Sequence, residues 1–197
     1  MNGNRNGLGA WGPRFAWMMM LNAVIFLFMT ALIAIPSALS EFGVSLMNPD
    51  LSRMFSYGSA GNWFVLGYIF YFLIGVLAMG MFAIGYYILE SYLKVPVKGI
   101  YKAMAWINYI LMGVGVMLST WVLMYAGYYG VSNLIAKTPT DQLHPVMALF
   151  GTAIGISILV MVIGILMGLI LFAIQFRRNK VWIFESIEVE EPRSVPA

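Results

Sequence analysis

Residues 145–176 read PVMALFGTAIGISILVMVIGILMGLILFAIQF, without one Asp, Glu, Lys or Arg. An α-helix rises ~1.5 Å per residue, and roughly 20 apolar residues cross a ~30 Å hydrocarbon core. This stretch therefore predicts a membrane-spanning helix with residues to spare. Working outward, three more charge-free stretches of comparable length occur at 15–40, 62–89 and 103–136. Charged residues make up only 10% of the 197 and hydrophobic ones 61%, against roughly 25% charged in soluble domains. Soluble enzymes, DNA-binding proteins and secreted scaffolds are excluded. The expected fold class is all-α, a polytopic transmembrane four-helix bundle.

The spans are expected at about 15–35, 63–89, 103–129 and 145–176. They follow a polar lead (1–14) and precede an acidic tail (177–197) that carries Glu185, Glu188, Glu190 and Glu191. The first span exceeds the 7–15 apolar residues of a cleaved signal peptide, so it reads as a retained anchor. Pro36, Pro96 and Pro139 fall between spans, and Pro145 suits a first helical turn. The longest connection, 36–61, carries turn signals at Asn48-Pro-Asp and Gly58-Ser-Ala-Gly. If the N-terminus is inside, the inner segments hold Arg5, Arg14, Lys94, Lys98, Lys102, Arg177, Arg178, Lys180 and Arg193, and the outer ones only Arg53 and Lys137. That asymmetry places both termini in the cytoplasm and the chain in the cell membrane or an energy-transducing inner membrane. Trp11, Trp17, Trp63, Trp106 and Trp182 fall near span ends, as interfacial anchors do.

The chemistry is sparse. No cysteine and a single histidine, His144, remove disulfides, zinc-thiolate sites, iron–sulfur clusters and any site needing two imidazoles. The +3 net charge lies at span ends rather than in a nucleic-acid-binding patch. No ionisable residue occupies the middle of a span, which argues against a proton pump or ion-coupled transporter working alone. His144, at the outer end of span 4, is a ligand candidate, although a lone interfacial histidine is more often solvated. Met18-Met19-Met20 and Met79/Met81 offer thioethers for copper, but neighbouring methionines diverge around a helix, and gap-filling is the commoner use. Asn22 and Asn108 suit interhelical hydrogen bonds. The aromatic group Tyr68, Phe70, Tyr71, Phe72, Tyr86 and Tyr87 suits packing, with stacking on quinone or porphyrin as the sharper alternative. Gly151-x-x-x-Gly155 and Gly164-x-x-x-Gly168, with Gly75, Gly80, Gly85, Gly113 and Gly115, give smooth faces for close helix packing within the chain or against partners.

Tyr71–Gly130 resembles the tenth and eleventh helices of the main subunit of haem-copper oxidases. The shared features are Gly75…Gly80…Gly85, Tyr86-Tyr87, Lys98-Gly99, Ala105-Trp-Ile-Asn-Tyr, Gly113-x-Gly115 and Tyr125-Ala-Gly-Tyr-Tyr-Gly130. Spans 1 and 4 resemble the ninth and twelfth helices more loosely. The family's haem-binding His-x-His pair has no counterpart, because the matching window 67–73 reads Gly-Tyr-Ile-Phe-Tyr-Phe-Leu. The resemblance thus implies a haem-free module, a non-catalytic subunit of a respiratory redox complex, with no cofactor or metal of its own. Its expected partners are other membrane subunits and lipid, with quinone as a further candidate and no nucleic acid. Alternatives are an accessory subunit of another membrane oxidoreductase or monooxygenase, a quinone- or haem-contacting electron-transfer subunit, and a small carrier or channel.

Overall fold

The computed structural model describes residues 10–178 apart from 41, 45 and 47, with no side chain described at 51, 52 and 59. Most of the polar lead and the acidic tail, Trp182 included, lie outside the described residues. Among those described there are helices and short connections and no strand. Helix α1 is Trp11–Ser40 and α2 is Leu51–Ser56. The third helix, α3, is continuous over 58–92: α-helical at Gly58–Phe70 and Met79–Tyr87, and widened to π-helical turns at Tyr71–Ala78 and Ile88–Tyr92. Helix α4 is Ile100–Ile135 and α5 is Thr140–Arg178. Four helices are thus long and apolar enough to cross a membrane: α1, residues Ala60–Tyr92 of α3, α4 and α5.

Two prolines expected at span boundaries lie inside helices. Pro36 sits within α1, where its missing N–H would normally break the ladder. The Ser37 hydroxyl donates to the Ile33 carbonyl at 2.8 Å in the same turn, and the helix continues to Ser40. Pro145 is not in the first turn of α5, because that helix starts at Thr140. Pro139 provides the start, its carbonyl accepting the amides of Gln142 and Leu143. The connection after α1 is also more ordered than turn signals imply. Asp50 caps α2 by accepting the Arg53 amide at 2.8 Å, and the Tyr128 hydroxyl donates to the Asn48 carbonyl at 2.8 Å. Met54 of α2 is fully buried beside Phe64 and Met124. At the other end of the molecule Gly99 begins α4 with φ +59°, a conformation that glycine adopts without strain.

Helix α4 is the centre of the bundle. Half of its most apolar window is buried, against 6% for α1. Its neighbours approach at glycines. A Cβ on Gly115 would lie 2.6 Å from the Met161 backbone of α5, and one on Gly164 would lie 2.5 Å from the Met112 amide nitrogen of α4. On the opposite side, a Cβ on Gly67 would lie 2.7 Å from the Thr120 carbonyl oxygen, and one on Gly127 would overlap the Phe64 backbone. Helix α1 packs mainly along α3, with Phe15 stacked between Phe82 and Tyr86 at 5.7 and 5.0 Å.

Replacing Gly115 or Gly164 with Leu must push two backbones apart, and overpacking of this kind costs roughly 1–3 kcal/mol or more. Gly151→Leu, at a position with nothing within 4 Å, should leave stability unchanged. Denaturant titration of the detergent-solubilised variants, followed by circular dichroism, would check the contrast.

Candidate functional site at the basic end

The end of the molecule where α1 begins and α5 finishes carries Arg14, Lys94, Lys98, Lys102, Arg177 and Arg178. It also carries Glu90, the sole acidic residue between Asp50 and Asp141. The Glu90 side chain is buried, at 2% exposure. Its carboxylate accepts the Trp11 amide at 2.9 Å and also bonds the Gly12 amide. These are amides that the first turn of a helix leaves without partners. A carboxylate at that position also meets the positive end of the α1 dipole. The Arg14 guanidinium lies over the rings of Trp11 and Trp106, 4.6 and 5.1 Å from their centroids. Those two rings meet edge to face at 5.2 Å.

Farther along the bundle the buried polar groups are neutral and paired. The Tyr86 hydroxyl donates to Asn108 Oδ1 at 3.3 Å, and Asn108 Nδ2 donates to the Gly164 carbonyl at 2.8 Å. One side chain thereby joins α3, α4 and α5. The Tyr71 hydroxyl donates to Asn22 Oδ1 at 2.8 Å, tying α3 to α1. Thr30 and Tyr68 share a hydroxyl–hydroxyl bond of 2.6 Å nearer the other end. No buried side-chain nitrogen or oxygen among the described residues lacks a partner. Asn22 and Asn108 thus form the interhelical bonds expected of them. Their partners Tyr71 and Tyr86 belong to the aromatic group expected to pack, and Tyr68 and Phe72 do so against Phe26 at 4.8 and 5.0 Å.

The glycines divide into two sets. Gly75 faces Val116, Gly80 faces the Met19 sulfur, Gly85 meets Phe172, and Gly113 meets the Met18 methyl. Gly115 and Gly164 form the α4–α5 contact, and Gly168 is closed in by Phe82 and Asn108. Gly151 and Gly155 meet nothing within 4 Å. The methionines do not gather: Met18 and Met19 fill gaps over different glycines, Met20 is half exposed, and Met79 is buried while Met81 is 73% exposed. No group of three or more His, Asp or Glu side chains that could hold a metal occurs among the described residues.

His144 lies on the exposed side of α5 at the mouth of a cavity of about 300 Å³. Ala60 and Trp63 of α3, Gly130 and Leu134 of α4, and Thr140, Leu143 and Met147 of α5 complete its lining. Within the window 67–73, Gly67 and Tyr71 are packed inward, while Ile69, Phe70, Phe72 and Leu73 are exposed. Gly67 lies against the α4 backbone, and Tyr71 is fully buried on its hydrogen bond to Asn22. Sequence reasoning missed Glu90 because it falls one position beyond the charge-free stretch. The available signal was a lone acid amid the basic residues of that end.

The chain matches no protein-family model, and no similar protein was found among curated proteins or solved structures.

Loss of a side-chain cap costs about 0.5–2 kcal/mol. Glu90→Ala should therefore speed amide exchange across the first turns of α1 and destabilise the protein by that order. Glu90→Gln keeps a carbonyl acceptor and should do less. Hydrogen–deuterium exchange of the two variants in detergent would check this.

Proposed function

We propose that this chain is a non-catalytic multi-pass membrane subunit that packs against a partner membrane protein, its basic end and both termini on the cytoplasmic side. The bare face of α5 carries this reading. Gly151 and Gly155 repeat the spacing of Gly164 and Gly168, yet only the second pair is covered within the chain. In an apolar solvent, close backbone approach at small residues is a main source of helix association. A smooth strip left open is therefore suited to a helix from another subunit. The paired, uncharged polar groups between the helices support a packing role over a conducting one. The orientation rests on the excess of Lys and Arg at one end. The likeness of Tyr71–Gly130 to a haem-copper oxidase helix pair makes a respiratory complex with such an oxidase the first host to look for.

The cavity beside His144 favours a second reading, a quinone-contacting subunit of an electron-transfer complex. An indole wall at Trp63 and polar groups at His144 and Thr140 are what a ring bearing carbonyl oxygens would use. Organic extraction of the purified protein and chromatography of the extract would reveal a bound quinone.

The test of the first reading is extraction in mild detergent through a tag after Ala197, with mass spectrometry of the proteins retained. Wild-type chain should bring down a defined set of membrane subunits, a haem-copper oxidase among them. Gly151→Leu combined with Gly155→Leu should keep the fold and lose the partner. Recovery of the wild-type chain alone would overturn the subunit reading, and recovery with another assembly would replace the host.

A further inference from the structure

A second cavity, of about 280 Å³, opens at the basic end between the α3–α4 connection and the last turn of α5. Val95, Pro96, Lys98, Tyr101, Gln175 and Arg178 line it. The connection is held by alternation: Val95 and Val97 are buried, while Lys94, Pro96 and Lys98 face outward. That pattern fixes the backbone and leaves Lys98 at the cavity. From the other side, Arg178 Nη1 donates to the Tyr101 hydroxyl at 3.4 Å, which draws the guanidinium over the cavity from the end of α5. Tyr101 lies in the first turn of α4, the positive end of that helix. None of the six lining residues is acidic. Glu90, the one carboxylate at this end among the described residues, is occupied by the amides of α1. Among the described residues, two cations, a hydroxyl and a buried amide side chain therefore line one cavity with no carboxylate in its wall, beside the apolar surfaces of Val95 and Pro96.

We propose that this cavity binds the phosphate of an anionic membrane phospholipid. A guanidinium and an ammonium are the usual partners of phosphate oxygens. Basic pockets between membrane helices at the cytoplasmic surface accommodate such headgroups. The cavity lies where four helices of membrane-spanning length end at their shared basic end, the depth of the headgroups. Val95 and Pro96 offer apolar contact to the glycerol and the first carbons of the acyl chains. The inference depends on the chain crossing a bilayer and is independent of which protein covers Gly151 and Gly155.

The experiment is native mass spectrometry of the full chain in detergent, titrated with phosphatidylglycerol or with phosphatidylcholine of the same acyl chains. Wild-type protein should bind phosphatidylglycerol in preference. A double variant Lys98→Ala, Arg178→Ala should weaken that binding about tenfold or more, since each surface cation contributes appreciably to anionic-lipid affinity. Arg53→Ala with Lys137→Ala removes two cations at the opposite end and should leave binding within about twofold. Circular dichroism and gel filtration would confirm that both variants fold. Equal binding of the two lipids would overturn the proposal, as would equal losses in the two double variants. Displacement of phosphatidylglycerol by millimolar inorganic phosphate would overturn the lipid assignment in favour of a free anion.

Discussion

The close contact of α4 with α5 is the constraint on which the remaining structure depends. In water, apolar faces are driven together by exclusion of solvent. Between helices surrounded by lipid that drive is absent, and contact area with hydrogen bonding must replace it. Gly115 and Gly164 supply the area by letting each backbone reach the other. Asn108 supplies the hydrogen bond by donating to the Gly164 carbonyl. The bond and the glycine contact share one residue, so the depth of one helix relative to the other is set at a single level of the bundle. Gly67 and Gly127 repeat the arrangement on the far side of α4, where α3 packs.

Buried Ser119, Thr120 and Ser157 bond carbonyls of their own helices, the buried amides of Asn22 and Asn108 join helices, and the one buried carboxylate among the described residues lies where a helix begins. Tyr71 with Asn22 and Tyr86 with Asn108 spend their hydroxyls and amides on each other and on a carbonyl. Glu90 answers the open amides of α1. Such groups give the bundle a preferred arrangement. At the two ends, His144 and Thr140 line one cavity, and Lys98 and Arg178 the other.

Much of this was legible in the sequence, for physical reasons that differ by residue. Apolar length announced the four long helices because a helix needs no other segment to satisfy its backbone. Asn22 and Asn108 could be assigned to interhelical bonds because an amide in an apolar span has few other uses. Glycine spacing identified close-packing faces but could not divide Gly164 and Gly168, which are covered, from Gly151 and Gly155, which are not; that depends on where the neighbouring helix lies. Pro36 and Pro145 were misplaced because a proline costs a helix one bond and need not end it: α1 runs on to Ser40, and α5 already starts at Thr140, where the Pro139 carbonyl accepts the first amides. Glu90 escaped because its role is defined by a backbone 79 residues away. The oxidase resemblance stays a matter of sequence.

The carboxylate of Glu90 has a mechanical consequence for α1. That helix is the least embedded of the four, an apolar cylinder whose surface varies little along its length, and such a cylinder can slip vertically past its neighbour at small cost. Free amides exist only in its first turn, so the bond to Trp11 and Gly12 can form at one height alone. Glu90 acts as a detent: it sets how deep α1 sits. Farther up, Asn22 opposite Tyr71 and Thr30 opposite Tyr68 hold the helix at the same height.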